Sequence, residues 1–407
     1  MATSQLRLDP VELAACVSCG LCLPTCPTYR VSGSEAESPR GRITLMRLIE
    51  SGASPLTAGA ATFFDSCVQC RACDVACPSG VQFGHLIEAT KTSLQLEMPR
   101  RLPIVRRLGL RSGLWLLGHH RLLRGAAIGL VVAQRLRMVP RSVALPRVRI
   151  SEIRLPLAIT PTAAQGEPVW LFTGCVMDAW QRSIHQDAIT VLEFAGARIS
   201  LPDSPSSCCG ALHSHAGNHE QAQTLARATM ASMPGADPIL VDSAGCGAAM
   251  KEYGHLLGTT EAEAFSARVF DVHEWLARPD RLRRLQLSPT GETVVVQDPC
   301  HLRNVQRVSG AVRTVLGAAY EIVETADDAL CCGAGGAYSV LQPDIANEIR
   351  SRKVAALQRA TQGDGSVPVA SANPGCIIHL GAAGVRTEHP MTLVRRALDR
   401  QAMSAAT

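Results

Sequence analysis

The chain is poor in aromatic residues, 4% of 407 positions. A nucleic-acid face that interleaves stacking rings with dense basic charge is therefore not expected. The formal net charge of +5 is a weak excess, suited to an acidic protein partner or a membrane surface. Long apolar runs are missing as well. The longest smooth one, Gly125 to Ala133, is bounded by Arg124 and Arg135, whereas a membrane-spanning helix needs about 20 such residues. The N-terminus has no basic segment followed by an apolar one, so no secretory signal is read and a reducing, cytoplasmic location is expected. Also absent are a nucleotide fingerprint, a phosphate loop and a general-base constellation. Nothing in the chain is equipped to take a hydride from an alcohol.

What is abundant is cysteine, with sixteen residues. In a reducing compartment that number points to metal or redox chemistry rather than a disulfide framework. Hydrophobic residues make up 46% and charged residues 18%, enough to build real cores. The length favours two or three domains.

The first eight cysteines form two copies of one pattern, C-x2-C-x2-C-x3-C-P: "CVSCGLCLPTCP" from Cys16 to Pro27 and "CVQCRACDVACP" from Cys67 to Pro78. Three thiolates two residues apart wrap a tight loop around one cubane. The fourth faces the other cluster, so ligation is crossed between the runs. On that rule one [4Fe-4S] cluster takes Cys16, Cys19, Cys22 and Cys77, and the second takes Cys67, Cys70, Cys73 and Cys26. Pro27 and Pro78 set the chain direction as it leaves each site. Zinc is the alternative, because C-x2-C pairs also build tetrahedral zinc sites, but zinc has no use for the third C-x2 step.

This half resembles the bacterial two-[4Fe-4S] ferredoxins, with a long insertion between the runs. Within it, Ser38 to Gly52 reads as a helix packed over the clusters through Ile43, Leu45, Met46, Leu48 and Ile49. Arg40 and Arg42 are candidates either for docking an acidic partner or for offsetting cluster charge. From Arg100 to Arg149 the chain turns basic, and Leu and Arg alternate as in an amphipathic helical pair. That pair reads as a connector, or as a face for a membrane surface or a partner. His119 and His120 read as incidental surface, and Arg154 to Pro168 as a linker.

The remaining eight cysteines belong to a tandem duplication. Cys175, Cys208, Cys209 and Cys246 recur as Cys300, Cys331, Cys332 and Cys376, at offsets of 125, 123 and 130 residues. Cys175, Cys246, Cys300 and Cys376 each follow a short strand-like run, so each repeat is expected to bring its cysteines to the carboxyl edge of a parallel sheet. The vicinal pairs, followed by Gly210 and Gly333, suggest close backbone approach to a bulky cofactor.

These repeats resemble the CCG cysteine-rich family. Its members include the catalytic subunit of heterodisulfide reductase and iron–sulfur subunits of glycolate oxidase, lactate-utilisation and glycerol-3-phosphate dehydrogenase systems. Order and size are most similar to the glycolate oxidase iron–sulfur subunits, on "CPTYRVSG", "SPRGRITLMR", "CPSGVQFGHLIE" and "GCGAAMKEYGHLL". The fold class expected is a multidomain α+β chain: a helical, ferredoxin-like domain (1–98), a basic connector (99–165) and two α/β CCG repeats with short parallel sheets (166–285 and 286–407). The resemblance implies an electron-transfer subunit served by an FAD-containing partner that oxidises glycolate to glyoxylate, with a quinone-type acceptor. Lactate, glycerol-3-phosphate and heterodisulfide systems are the alternatives. One departure stands out: the family pattern ends each repeat in C-x2-C, but here Ala249 and His379 occupy those offsets. Four thiolates per repeat remain for further cluster binding, and His379 is a candidate replacement ligand.

Overall fold

Short runs of Val, Ile and Leu build two sheets with one plan. The computed structural model describes residues 6–99, 101–138, 155–159, 166–202, 208–327 and 329–405. In the first repeat, β1 (Glu167–Phe172), β2 (Ala197–Ser200), β3 (Ile239–Val241) and β4 (Val269–Asp271) form a parallel sheet in the order β2-β1-β3-β4. The second repeat answers with β5 (Thr293–Val296), β6 (Glu321–Val323), β7 (Val369–Ala370) and β8 (Thr387–Glu388), in the order β6-β5-β7-β8. Central strands such as β3 are buried at every position, as parallel strands covered on both faces must be. Val169, Leu171 and Ile189 of the first repeat share one core with Val294, Val296, Met391 and Leu393 of the second. The duplication therefore buries apolar surface that a single repeat would leave exposed.

Grouped by packing, the chain forms two compact units. One comprises Met1–Leu114, Gly210–Ala222 and Ala329–Lys353; the other comprises Trp115–Cys209, Gln223–Asp328 and Val354–Thr407 and holds both sheets. The segment just after each vicinal cysteine pair is thus gathered into the N-terminal unit.

That unit is helical. The helix Pro39–Glu50 starts where the Ser38 hydroxyl accepts the Gly41 N–H at 3.0 Å, with Pro39 in its first turn, a placement that sacrifices no hydrogen bond. Its Ile43, Met46 and Ile49 pack with Phe64, Leu86 and Leu94. Leu48, expected in the core, is exposed, because the buried stripe runs through Pro39, Ile43, Met46 and Ile49 at 4-3-3 spacing and leaves position 48 off that face. The helix Phe83–Glu97 receives the segment after the first vicinal pair: Glu88 accepts from Ser214 Oγ at 2.9 Å and lies 3.0 Å from His215 Nδ1. Tyr338, after the second pair, donates to the Ser66 carbonyl at 3.0 Å.

The basic middle forms two helices, Ile104–Leu117 and His120–Arg135. Ile104, Val105, Leu108, Trp115, Leu122 and Val132 are exposed on them. Of the expected linker, Arg154 to Pro168, residues 154 and 160–165 lie outside the described residues. Among the described residues no helix is long and apolar enough to cross a membrane.

Candidate functional site

The two cysteine runs are conformational copies. In the first, Ser18 and Gly20 flank Cys19 with φ of 58° and 86°; in the second, Gln69 and Arg71 flank Cys70 with φ of 58° and 60°. Left-handed residues on both sides of the middle cysteine turn successive peptide N–H groups to one side of the loop, the kind of concavity that holds phosphates and iron–sulfur groups. Glycine adopts this conformation freely at position 20. Arg71 does so against a penalty of about 1–2 kcal/mol. Its guanidinium Nε lies 2.6 Å from Asp74 Oδ2, with both side chains 8% exposed, and this pair anchors the turn. Gly84 leaves room for it, since a Cβ there would stand 2.0 Å from Arg71 Nε.

Cys26, Cys67, Cys70 and Cys73 line a single recess together with Arg42, Gln69 and Phe83. Cys26 comes from the first run and the other three from the second. Cys26 stands at the cap of the helix Pro27–Ser32 and Cys77 at the end of Ala72–Ala76. Burial pushes the Cys73 thiol well above the ordinary thiol range; Asp74 and the neighbouring Cys70, Cys67 and Cys26 add to the shift. Cys16, Cys22 and Cys77 are half-buried and pack on the same apolar core, whereas Cys19 is exposed. Burial also raises the Cys22 thiol, with Cys16 and Cys26 adding to it against a backbone hydrogen bond at Arg40.

The wall of the four-cysteine recess tests what belongs there. Arg42 is 0% exposed. Its hydrogen bonds go to neutral oxygens only: Phe63 carbonyl at 2.7 Å, Ser66 Oγ at 3.0 Å and Thr28 Oγ1 at 3.2 Å. No carboxylate pairs with it among the described residues. A buried guanidinium without a counter-ion is strongly unfavourable, so the recess fits an anionic group held by thiolates. Arg40, its neighbour in sequence, differs: it lies at the surface, paired with Glu35 at 2.6 Å.

In the first CCG repeat the four cysteines converge. The Cys175 and Cys208 thiols share a hydrogen bond, and Cys209 bonds to Cys208 and Cys246. These contacts, then burial, push Cys175 and Cys209 well above the ordinary thiol range. Cys175 follows β1, and Cys246 lies in the first turn of the helix after β3, so both stand at carboxyl ends of parallel strands, as expected. In the second repeat Cys300 and Cys376 follow β5 and β7 in the same way. Asn373 Nδ2 is 3.6 Å from Cys376 Sγ, while its Oδ1 accepts the Gly245 N–H at 3.1 Å. Cys331 and Cys332 are grouped with the N-terminal unit, where the Gly333 N–H donates to Cys331 Sγ at 3.3 Å.

Two expectations need correction. Gly210 and Gly333 do adopt left-handed φ of 83° and 86°, but what they approach is protein backbone. A Cβ would stand 3.0 Å from the Ala222 carbonyl oxygen and 2.6 Å from that of Ala346, so these glycines seat the vicinal pairs against helices. His120 is no surface residue: it is buried, 2.7 Å from Asp178 Oδ2, and only His119 is exposed. His379 is buried one turn after Cys376 on the same helix. Spacing gave no hint of Lys91, a buried lysine whose strongest favourable charge contact is Cys67.

The chain matches the 4Fe-4S dicluster domain family over residues 12–81 and the cysteine-rich CCG domain family over residues 169–251 and 294–381. It is 31% identical to the glycolate oxidase iron-sulfur subunit of Escherichia coli, over 97% of this chain and 96% of that one. The chain belongs to the glycolate oxidase iron–sulfur subunit family. The probable glycolate oxidase iron-sulfur subunit of Bacillus subtilis is also 31% identical, over 92% of this chain and 89% of its own. Lactate utilization protein A of Shouchella clausii is 26% identical over 52% of this chain. As a member of this oxidoreductase family, the chain is an iron–sulfur protein with a dicluster domain followed by CCG repeats.

Proposed function

We propose that this subunit carries electrons from a partner flavoprotein, which oxidises glycolate to glyoxylate, to a quinone-type acceptor. Cys16, Cys19, Cys22 and Cys77 hold one [4Fe-4S] cluster, and Cys67, Cys70, Cys73 and Cys26 hold the other. Cys175, Cys208, Cys209 and Cys246, and their counterparts Cys300, Cys331, Cys332 and Cys376, hold further iron–sulfur chemistry in the CCG half. The observation that carries the reading is the four-thiol recess with its uncompensated Arg42, in a loop whose backbone repeats that of the first run.

When bound, such clusters exchange single electrons without proton or atom transfer. The chain supplies thiolates, a nest of N–H donors and, at the recess of Cys26, Cys67, Cys70 and Cys73, buried positive charge. No residue is assigned a hydride or general-base role, so substrate oxidation belongs to the FAD-bearing partner. The exposed apolar and arginine side chains on the helices Ile104–Leu117 and His120–Arg135 suit peripheral attachment at the cytoplasmic face of the membrane.

The test is Cys67→Ser in the co-purified complex. Flavin reduction by glycolate should persist while acceptor reduction is lost; normal acceptor turnover would overturn the relay. The likeness to the lactate utilization protein favours lactate as the second substrate to try. A disulfide-reducing role is disfavoured by Ala249 and His379 at the positions where the fuller pattern has cysteines.

A further inference from the structure

The two cysteine runs match in spacing and backbone but not in the charge around them. Near the second run, besides Arg71 with its partner Asp74, stand two further buried cations. Arg42, in the wall of the recess, meets only the neutral oxygens of Phe63, Ser66 and Thr28. Lys91, one of three lysines in the chain, is 7% exposed on the helix Phe83–Glu97. The carboxylate on its side is Asp65, and that is already engaged by Arg101, with Nε at 3.0 Å and Nη2 at 3.3 Å. Cys67 comes ahead of Asp65 among the groups whose negative charge favours the Lys91 ammonium.

The first run has cations too, but they are placed differently. Arg40 donates to the Ser18 carbonyl at 3.1 Å while its guanidinium is held by Glu35, so its charge is cancelled locally. Arg47 donates to the carbonyls of Leu13 and Cys16 and is only half-buried. Water reaches both, and screening by water weakens the effect of a charge on its neighbours severalfold.

We propose that Arg42, seconded by Lys91, is a built-in counter-charge that makes the cluster on Cys26, Cys67, Cys70 and Cys73 the higher-potential member of the pair. Reduction adds one negative charge to a cluster, and a fixed buried cation stabilises the reduced form more than the oxidised form. One electron then moves downhill from the cluster of the exposed first run to that of the buried second run. Both residues act through the cluster's thiolates, so they are positioning and tuning residues. The proposal rests on the ligand assignment given above.

The experiment is an EPR-monitored redox titration of the anaerobically purified full-length chain. Cys16→Ser and Cys67→Ser each remove one signal and so label the two clusters. Arg42→Gln should lower the midpoint of the signal that Cys67→Ser removes. The shift should be about tenfold in the constant for electron partition between the clusters, or 59 mV for a one-electron couple. Lys91→Gln should move the same midpoint the same way by less, and Arg40→Gln should leave both in place. Arg42→Lys decides between charge and mere structure, because it keeps the charge and loses the guanidinium fork; it should restore most of the midpoint. The proposal is overturned if Arg42→Gln and Lys91→Gln move neither midpoint, or if Arg42→Lys shifts the signal as far as Arg42→Gln. If Cys16→Ser and Cys67→Ser remove no signal, the ligand assignment falls first and takes the proposal with it.

Discussion

The first and second cysteine runs share a spacing and a pair of left-handed turns, yet one reaches water and the other is walled in. Cys19, the middle cysteine of the first run, is exposed, whereas Cys67, Cys70 and Cys73 are all buried. The turn beside Cys19 is made by a glycine; the turn beside Cys70 is made by an arginine anchored to Asp74. Backbone geometry is thus the property the runs have in common, and it is dictated by what a cluster requires of its loop. Surroundings are what separates them, and these come from elsewhere in the chain: Arg42 in the insertion, Lys91 on the helix Phe83–Glu97, and the segments Gly210–Ala222 and Ala329–Lys353 that pack in the same unit.

The largest expected effect that sharpens this contrast comes from matched serine substitutions. Cys70→Ser and Cys19→Ser should each remove one cluster by iron and sulfide analysis. Because Cys70 is buried and Cys19 is exposed, loss of the cluster should lower the melting temperature of the chain more in Cys70→Ser than in Cys19→Ser. Equal melting temperatures for the two variants would erase the distinction between an open and a closed site.

Next in size is Arg71→Gly, which gives the second run the glycine of the first. It relieves the left-handed strain but strands Asp74 in a site where its side chain is 8% exposed. The net outcome should be destabilisation by about 3 kcal/mol, measured by urea unfolding. A stabilised variant would mean that the ion pair does not hold the turn. The reciprocal change, Gly20→Ala, places a Cβ 2.7 Å from Arg40 Nη1 at a φ of 86°. Because Arg40 is the movable end of a surface side chain, the loss should be smaller, about 1–2 kcal/mol.

The smallest effect concerns the link between Glu88 and His215, which reaches the second run where Gln69 Nε2 donates to the His215 carbonyl at 3.0 Å. Burial alone would raise the Glu88 carboxyl, but the hydrogen bond and charge of His215 hold it down to about 2. Its folded value lies below the ordinary 4.5, so the stability it contributes is present above about pH 4.5 and is lost as the pH falls toward 2. Glu88→Gln should therefore lower stability by about 1 kcal/mol at pH 7, and the gap to the unmodified chain should narrow below about pH 4.5 and close only as the pH approaches 2. A gap that stays constant between pH 4.5 and pH 2 would assign the effect to packing.

Much of this architecture was legible in the sequence because cysteine spacing and strand composition are local signals. The nearness of Cys26 to Cys67, Cys70 and Cys73 in one recess, the duplicated sheets and the cysteines at strand ends all follow from such patterns. What was not legible depends on long-range packing. Arg40 and Arg42 are indistinguishable in "SPRGRITLMR", and only the helix phase turns one outward and the other into the recess. Lys91 sits in an unremarked helical stretch, and only its burial beside Cys67 singles it out. Gly210 and Gly333 carried the right conformational signal with the wrong neighbour, since a helix carbonyl and a cofactor impose the same demand for a missing Cβ. His120 looked incidental because its partner, Asp178, lies 58 residues away.

The most direct test of the relay is low-temperature EPR on the anaerobically co-purified complex, recorded before and after glycolate is added, with dithionite as the reference for every reducible cluster. The account predicts that glycolate raises the signals labelled by Cys16→Ser and Cys67→Ser. Dithionite-reducible signals that do not respond to glycolate would contradict it and send the search to lactate.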